Sequence, residues 1–233
     1  MATVVCWCLS CGAFRGVAVQ SDRQVSVSLP TVRRLPMYLS ILQQREDGSG
    51  PHVSSSEIAR RLGLEPIQVR KDLAAVGVTG QPRLGFPVGE LIDAIEKFLG
   101  WDNVTDAFVV GAGHLGIALA GYDGFRHHGL NVVALFDNDG EKIGRRVHGK
   151  EILPIGKFSD LANRLHVHIA ILTVPDESAV GAAELAIDAG IKAIWNFTAT
   201  KLAAPEGVII ERMDLAASLA VLSSRLAAMR GSN

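Results

Sequence analysis

The chain has 233 residues, 48% of them hydrophobic and 20% charged, with a net charge of −1. At roughly 100–200 residues per domain, that length allows one large domain or two modest ones, with ample apolar material for a core. Near-neutrality excludes a strongly cationic protein but not a local basic face; no apolar run approaches the ~18 residues of a membrane span, so the expectation is a cytoplasmic protein with no membrane partner.

The opening "MATVVCWCLSCGAF" lacks the basic start of a signal peptide. All three cysteines, Cys6, Cys8 and Cys11, lie there. Cys-x-Cys-x-x-Cys is a pattern for a metal or a redox pair, but no fourth ligand is near and the count is odd. Residues 1–30 are therefore expected to form a disordered leader, with no metal site.

Residues 31–101 read as short helices with charged faces. The first begins at about Pro36, which suits a first helical position, and turns Met37, Tyr38, Ile41 and Leu42 to one side. Ser54-x-x-Glu57 predicts a capping box, hydroxyl and carboxylate each satisfying a free backbone N–H. Ile58, Ala59 and Leu62 follow at helical spacing, Gly63 permits a sharp turn, and Pro66 starts another helix. That order is the grammar of a helix-turn-helix. At 100° per residue, Val69, Leu73 and Val76 share one side of the second helix, and Ile67, Arg70, Lys71 and Ala74 the other. A slim face with two cations fits a DNA groove about 12 Å wide. A plain helical hairpin with solvated Arg and Lys is the alternative. Asp72 is expected to pair with Arg60 or Arg61.

"GVTGQPRLGFPVGEL" then reads as a β-hairpin wing with Arg83 near its tip, or as an ordinary loop. A wing lays such an arginine on phosphates or in a minor groove. Leu91, Ile92, Ile95 and Leu99 face inward on the helix that closes this segment. The candidate DNA contacts are Ser54, Ser55, Gln68, Arg70, Lys71 and Arg83. Residues 31–90 hold eight Arg/Lys against six Asp/Glu. That surplus is small, so affinity depends on where the cations sit and on doubling the domain in a dimer.

Residues 102–212 alternate strand and helix. "DAFVV" is a buried-strand pattern that breaks into Gly111-x-Gly113-x-x-Gly116 and a helix. Gly111 makes the turn, Gly113 lets the backbone approach a pyrophosphate, and Gly116 lets helix and strand pack closely. The phosphates would lie over the helix N-terminus. The next strand, "NVVALF", ends at Asp137, 21 positions after Gly116. That is the distance expected of a carboxylate that accepts from a ribose. With Asp139 it would repel a 2′-phosphate, which favours NAD+/NADH over the phosphorylated cofactor. Lys142 and Arg145 would soften that preference if they reached the site; such residues are more often surface charges. "HVHIAILTV" is a strand ending in Thr173-Val174-Pro175, at the edge where such sheets bind ligands. His166 and His168 read as a strand-entry pair without chemistry. Further strands are "IKAIWNF", ending at Asn196-Phe197, and "GVIIER".

In residues 213–233, Leu215, Leu219, Leu222, Leu226 and Met229 recur at the spacing of a heptad seam. Such a helix needs cover from its own domain or from a second subunit. A dehydrogenase needs a proton donor near the nicotinamide, but Tyr122 is followed at the Tyr-x-x-x-Lys spacing by Arg126, and Tyr38 by Leu42. No catalytic residue is therefore assigned. A small NAD-dependent oxidoreductase with an accessory helical domain is the alternative function.

Jointly, "RLP" (34–36), "VSSSEIARRLGL", "QVRKDL", "VVGAGHLGIALAGYDGF", "FDNDGEKIGR", "IAILTVP", "AGIKAIWNF" and "MDLAASL" resemble the redox-sensing transcriptional repressors called Rex, from about Arg34 to Leu226. The resemblance implies an α/β architecture in three parts. A winged helix-turn-helix domain is followed by a Rossmann domain with a doubly wound, mostly parallel sheet, and then by a C-terminal helix swapped within a homodimer. It implies operator binding with NAD+ or no cofactor, and release by NADH. It assigns Gly111, Ala112, Gly113, His114, Leu115 and Gly116 to the pyrophosphate and Asp137 to the ribose. Thr173, Val174, Pro175, Asn196 and Phe197 fall on the nicotinamide side. Tyr122 and Asp214 match a pair that helps tell reduced from oxidised cofactor. The chain departs from the family's usual residues at His114 (Arg or Asn), at Ala74-Ala75-Val76 (Ser-Tyr-Phe), at Pro82-Arg83 (a basic residue then Gly) and in "NFTAT" ("NFAPV").

Overall fold

The computed structural model describes residues 27–45 and 50–230; the three cysteines lie outside them. An α-helical cluster comes first: α1 (Leu29–Gln43), α2 (Ser55–Leu62), α3 (Pro66–Ala75) and α4 (Val88–Leu99). They close on a core that includes Leu35, Tyr38, Leu39, Ile58, Leu73 and Leu91. Helix α1 starts at Leu29 rather than at Pro36, and so takes in two residues read as leader. Ser28 accepts from the Thr31 N–H as its cap, and Pro30 fills an early position where a missing N–H costs nothing. Pro36 thus lies inside the helix. It forfeits one helical hydrogen bond there, while Leu35 and Leu39 on either side are buried.

Two short strands, β1 (His52–Val53) and β2 (Phe86–Pro87), pair antiparallel across the cluster. The expected hairpin wing is reduced to a closed turn. Gln81 and Gly85 exchange backbone hydrogen bonds at 2.6 and 3.0 Å, and Arg83 sits at the bend. Gly85 is required there, since a Cβ would lie 2.3 Å from the Val53 carbonyl oxygen.

The second part is a seven-stranded sheet. Its strands are β3 (Thr105–Val110), β4 (Leu130–Asp137), β5 (Arg146–Val147), β6 (Lys150–Pro154), β7 (Ile169–Leu172), β8 (Ala193–Asn196) and β9 (Ile209–Arg212). The spatial order is β5-β6-β4-β3-β7-β8-β9, and only β5 is antiparallel. Without that edge strand the order is the doubly wound Rossmann one, which reverses direction between β3 and β7. Helices cover both faces: α5 (His114–Ala120) and α6 (Gly124–His127) on one side, α7 (Phe158–Leu165) and α8 (Ala179–Asp188) on the other. Alternation along β3 sends Phe108 and Val110 to the α7/α8 side and Val109 to the other. Phe108, Phe136 and Phe158 meet edge to face with centroids 4.9–5.4 Å apart.

His166 is not in a strand. It ends α7 in a left-handed conformation (φ +53°), and the strand begins only at Ile169. The last helix, α9 (Leu215–Arg230), follows β9. Its apolar seam lies open on this chain: Leu222 is 64% and Met229 75% exposed, with Leu219 and Leu226 also exposed. Of the two covers expected for it, its own domain supplies none to Leu219, Leu222, Leu226 or Met229.

Candidate functional site

A cleft of about 850 Å³ opens at the carboxyl ends of β3, β4 and β7. Gly111 adopts φ +100°, and a Cβ there would lie 2.8 Å from the Thr173 backbone. Thr173 Oγ1 donates to the Gly111 carbonyl at 2.7 Å, so β7 fixes the turn from beside it. A Cβ on Gly116 would fall 2.0 Å from the Gly111 oxygen, which accounts for the third glycine. Gly113 differs: a Cβ there would meet nothing within 4 Å, and the residue lines the cleft. Its backbone borders open space where a ligand can approach. Gly113 also precedes α5 with no side-chain cap on that helix. The first-turn N–H groups therefore remain to be satisfied, and an anion does so.

Asp137, at the end of β4, is buried. Its Oδ2 accepts from the Ala112 N–H at 2.8 Å and Lys142 Nζ at 3.2 Å, and its Oδ1 accepts from the Asp139 N–H at 2.9 Å. Burial raises its pKa, but these donors outweigh burial and hold it below the usual carboxylate range. The hydrogen bond that Lys142 donates to Asp137 raises the Lys142 pKa in turn. Contrary to the surface-charge reading from the sequence, Lys142 is paired. It lines the cleft and also lies 3.5 Å from Asp139.

Of the residues assigned from the sequence, Gly111, Gly113, Asp137, Thr173, Val174 and Pro175 line the cleft. Ala112 and Gly116 are buried beneath it, while His114 and Leu115 are exposed at the start of α5. Asn196 ends β8 with its side chain already engaged, donating to the Thr200 carbonyl and accepting from the Thr198 N–H. Neither Asn196 nor Phe197 lines the cleft. Tyr122 lies beyond the far end of α5, beside a separate depression of about 320 Å³. Asp214 caps α9 through the Ala217 N–H and pairs with Arg212 at 2.7 Å. One chain does not bring Tyr122 and Asp214 together. Sequence reasoning missed Ile155, Ala182 and Leu185, an apolar lining contributed by the β6–α7 connection and α8. It also missed Glu177 and Ser178. Single apolar positions on separate elements carry no motif. Among the described residues, no group of three or more His, Cys, Asp or Glu is placed to hold a metal ion, and no helix is long and apolar enough to cross a membrane.

The outward side of α3 is as its periodicity requires: Val69 and Leu73 are buried, and Ile67, Arg70, Lys71 and Ala74 exposed. Ser54 caps α2 by accepting from the Glu57 N–H. The reciprocal half of the capping box is not made, because the Glu57 carboxylate turns to Arg45 and Arg61. Ser55 is buried. Gln68 donates to Asp72 at 2.9 Å.

Asp72 pairs with Arg34, not with Arg60 or Arg61. Arg34 donates to both carboxylate oxygens, at 2.7 and 2.8 Å, and Tyr38, Thr31 and Gln68 also donate to it. Burial pushes the Asp72 pKa up, yet this ring of donors, Arg34 first, pulls it down to about 2. Burial and the adjacent carboxylate both raise the Tyr38 hydroxyl. The cluster fastens the outward-facing α3 to α1.

Comparison with known proteins gives a consistent picture. Residues 26–74 match the family model "Putative DNA-binding protein N-terminus", and residues 102–200 match "CoA binding domain". A redox-sensing transcriptional repressor Rex from Treponema denticola is 46% identical over 200 residues, covering 86% of this chain and 95% of that one. RSP, solved in complex with β-NAD+ and operator DNA, superposes with a TM-score of 0.82 at 34% identity, covering 88% of this chain and 94% of that one. RSP in complex with β-NADH gives 0.79 at 33%, covering 88% and 96%.

Proposed function

Because the chain belongs to the Rex family of redox-sensing transcriptional repressors, we propose that its cleft reads NADH against NAD+ and that the outcome sets its hold on operator DNA. It is a repressor, not an oxidoreductase: its curated relatives are repressors. The observation that carries the reading is a single chain with both a dinucleotide cleft at the sheet's switch point and a helix, α3, that turns only Ile67, Arg70, Lys71 and Ala74 outward.

The glycine loop and the start of α5 take the pyrophosphate, and Asp137 takes the adenosine ribose. Ile155, Val174, Ala182 and Leu185 offer an apolar slot for the adenine. The nicotinamide then points past Pro175 towards Asn196 and Phe197. Arg70, Lys71 and Arg83 hold phosphates, and Ile67 and Ala74 lie against base edges. The protein acts in the cytoplasm as a homodimer in which the open seam of α9 is covered by a second copy. That arrangement brings Asp214 of one subunit to Tyr122 of the other. NAD+ and NADH differ by one positive charge and by ring planarity. A carboxylate near the ring distinguishes them and biases two arrangements of the dimer. Near-complete conversion between the two needs about 10⁴-fold differential affinity.

The test is a gel-shift titration of a palindromic AT-rich operator fragment at several NADH/NAD+ ratios. NADH should release the fragment and NAD+ should not. Equal binding of both cofactors with no effect on DNA would leave only a cofactor-stabilised scaffold.

A further inference from the structure

One run of hydrogen bonds within the chain joins the wall of the cleft to the start of α9. Pro175, Glu177 and Ser178 line the cleft. Asp176, between them, turns its carboxylate to a loop beyond β8. Its Oδ1 accepts from the Ala199 N–H at 2.7 Å, and its carbonyl accepts from Thr200 Oγ1 at 3.1 Å. Asn196 ties down the same loop, donating to the Thr200 carbonyl and accepting from the Thr198 N–H, both at 2.9 Å. Arg212, opposite Asn196 on β9, holds the loop from the other side. Its Nη1 donates to the Ala199 carbonyl at 3.3 Å and its Nη2 to Asp214 Oδ2 at 2.7 Å. Asp214 Oδ1 accepts from the Ala217 N–H, in the first turn of α9, at 2.9 Å. A guanidinium is planar and holds its donors in a fixed fork. While Arg212 grips both, a shift of the Ala199 carbonyl also turns the donor on Asp214. A carboxylate oxygen accepts about two hydrogen bonds, so Arg212 orients Asp214 Oδ2 and leaves it a position for a further donor.

We infer that Arg212 is a positioning residue that bridges the cleft wall at Asp176 to the Asp214 cap of α9, so that a change of cofactor reaches α9 through this loop. The inference rests on the reading that Asp214 meets Tyr122 of the second copy. Networks of this kind modulate the coupling between two sites by about two- to thirtyfold.

The test compares the full-length wild type with Asp176→Ala, Arg212→Lys and the double variant. Arg212→Lys keeps the charge and loses the fork. Cofactor fluorescence gives the NADH dissociation constant, and light scattering gives the mass. Gel shifts of the palindromic AT-rich fragment give the factor by which saturating NADH weakens DNA binding. Neither residue lines the cleft, so each single variant should stay dimeric and bind NADH within about twofold of wild type. Each should lower the coupling factor by about threefold or more, and the double variant should lower it no further than the stronger single one. The inference is overturned if either single variant keeps the wild-type factor, or if the double variant multiplies the two losses. It also fails if Arg212→Lys turns monomeric or weakens NADH in step with the factor, since Arg212 would then only brace the loop. A wild type whose hold on the fragment ignores NADH fails differently: it refutes the redox reading itself and leaves Arg212 nothing to transmit.

Discussion

Asp72 shows how much a single buried carboxylate can be asked to hold. Its side chain is 2% exposed and paired with Arg34, and the Tyr38, Thr31 and Gln68 donors complete the shell. Its pKa falls from 3.8 to about 2 on folding. A depressed carboxylate stabilises the fold at pH above its unfolded value and loses that contribution as pH falls through its folded value. The helical domain should therefore lose about 2 kcal/mol between pH 4 and pH 2, visible in urea melts across that range. Asp72→Asn should cost roughly 2–4 kcal/mol at pH 7, because it leaves Arg34 without its countercharge, and should flatten that acid limb. Arg83 is a different case. Its φ of +65° is costly for a side chain with a Cβ. Arg83→Gly should stabilise the turn by up to about 1 kcal/mol. It should also weaken operator binding and lower the salt-dependence slope by about one.

The glycine loop works because β3, β4 and β7 each supply one restraint: the turn at Gly111, the Asp137 carboxylate and the Thr173 hydroxyl. Two alanine substitutions separate restraint from ligand space. Gly111→Ala puts a Cβ 2.8 Å from the Thr173 backbone at φ +100°. It should destabilise the fold by about 2 kcal/mol or more and abolish NADH binding, read by thermal melts and cofactor fluorescence. Gly113→Ala meets nothing within 4 Å. It should melt as the wild type does and still bind NADH at least about tenfold more weakly, if the pyrophosphate lies against that backbone. Normal NADH affinity in Gly113→Ala would place the phosphates elsewhere.

The seam of α9 is an open apolar face among the described residues. Helix α9 runs 16 residues with Leu219, Leu222 and Leu226 exposed, and a contiguous apolar face of this kind marks an interaction surface. Leu222→Asp, at a side chain 64% exposed in this chain, should leave the isolated subunit folded but shift light-scattering mass from dimer to monomer. Operator affinity should fall by several orders of magnitude as paired half-site binding is lost. A variant that remains dimeric at micromolar concentration would count against α9 as the shared helix.

How much was legible depended on whether information lay along the chain or across it. Periodicity marks α3 and its outward face, and the glycine spacing with Asp137 marks residues that line the cleft. These are local rules of backbone geometry. The start of α1 was misjudged because Pro36 signals a helix start locally, while burial of Leu35 and Leu39 carries the helix through it. Asp72 was given the wrong arginine because Arg34 is near it only once α1 packs on α3. Lys142 looks like a surface charge along the chain because nothing in its neighbourhood shows that the turn after β4 folds it back over Asp137. Most elements, and the tight glycine turn after β3, can be read along the chain, since dihedral preference and apolar period act over a few residues. Packing sets which charges meet, which apolar residues line the cleft and that α9 lies uncovered, because those depend on distances between residues far apart in the chain.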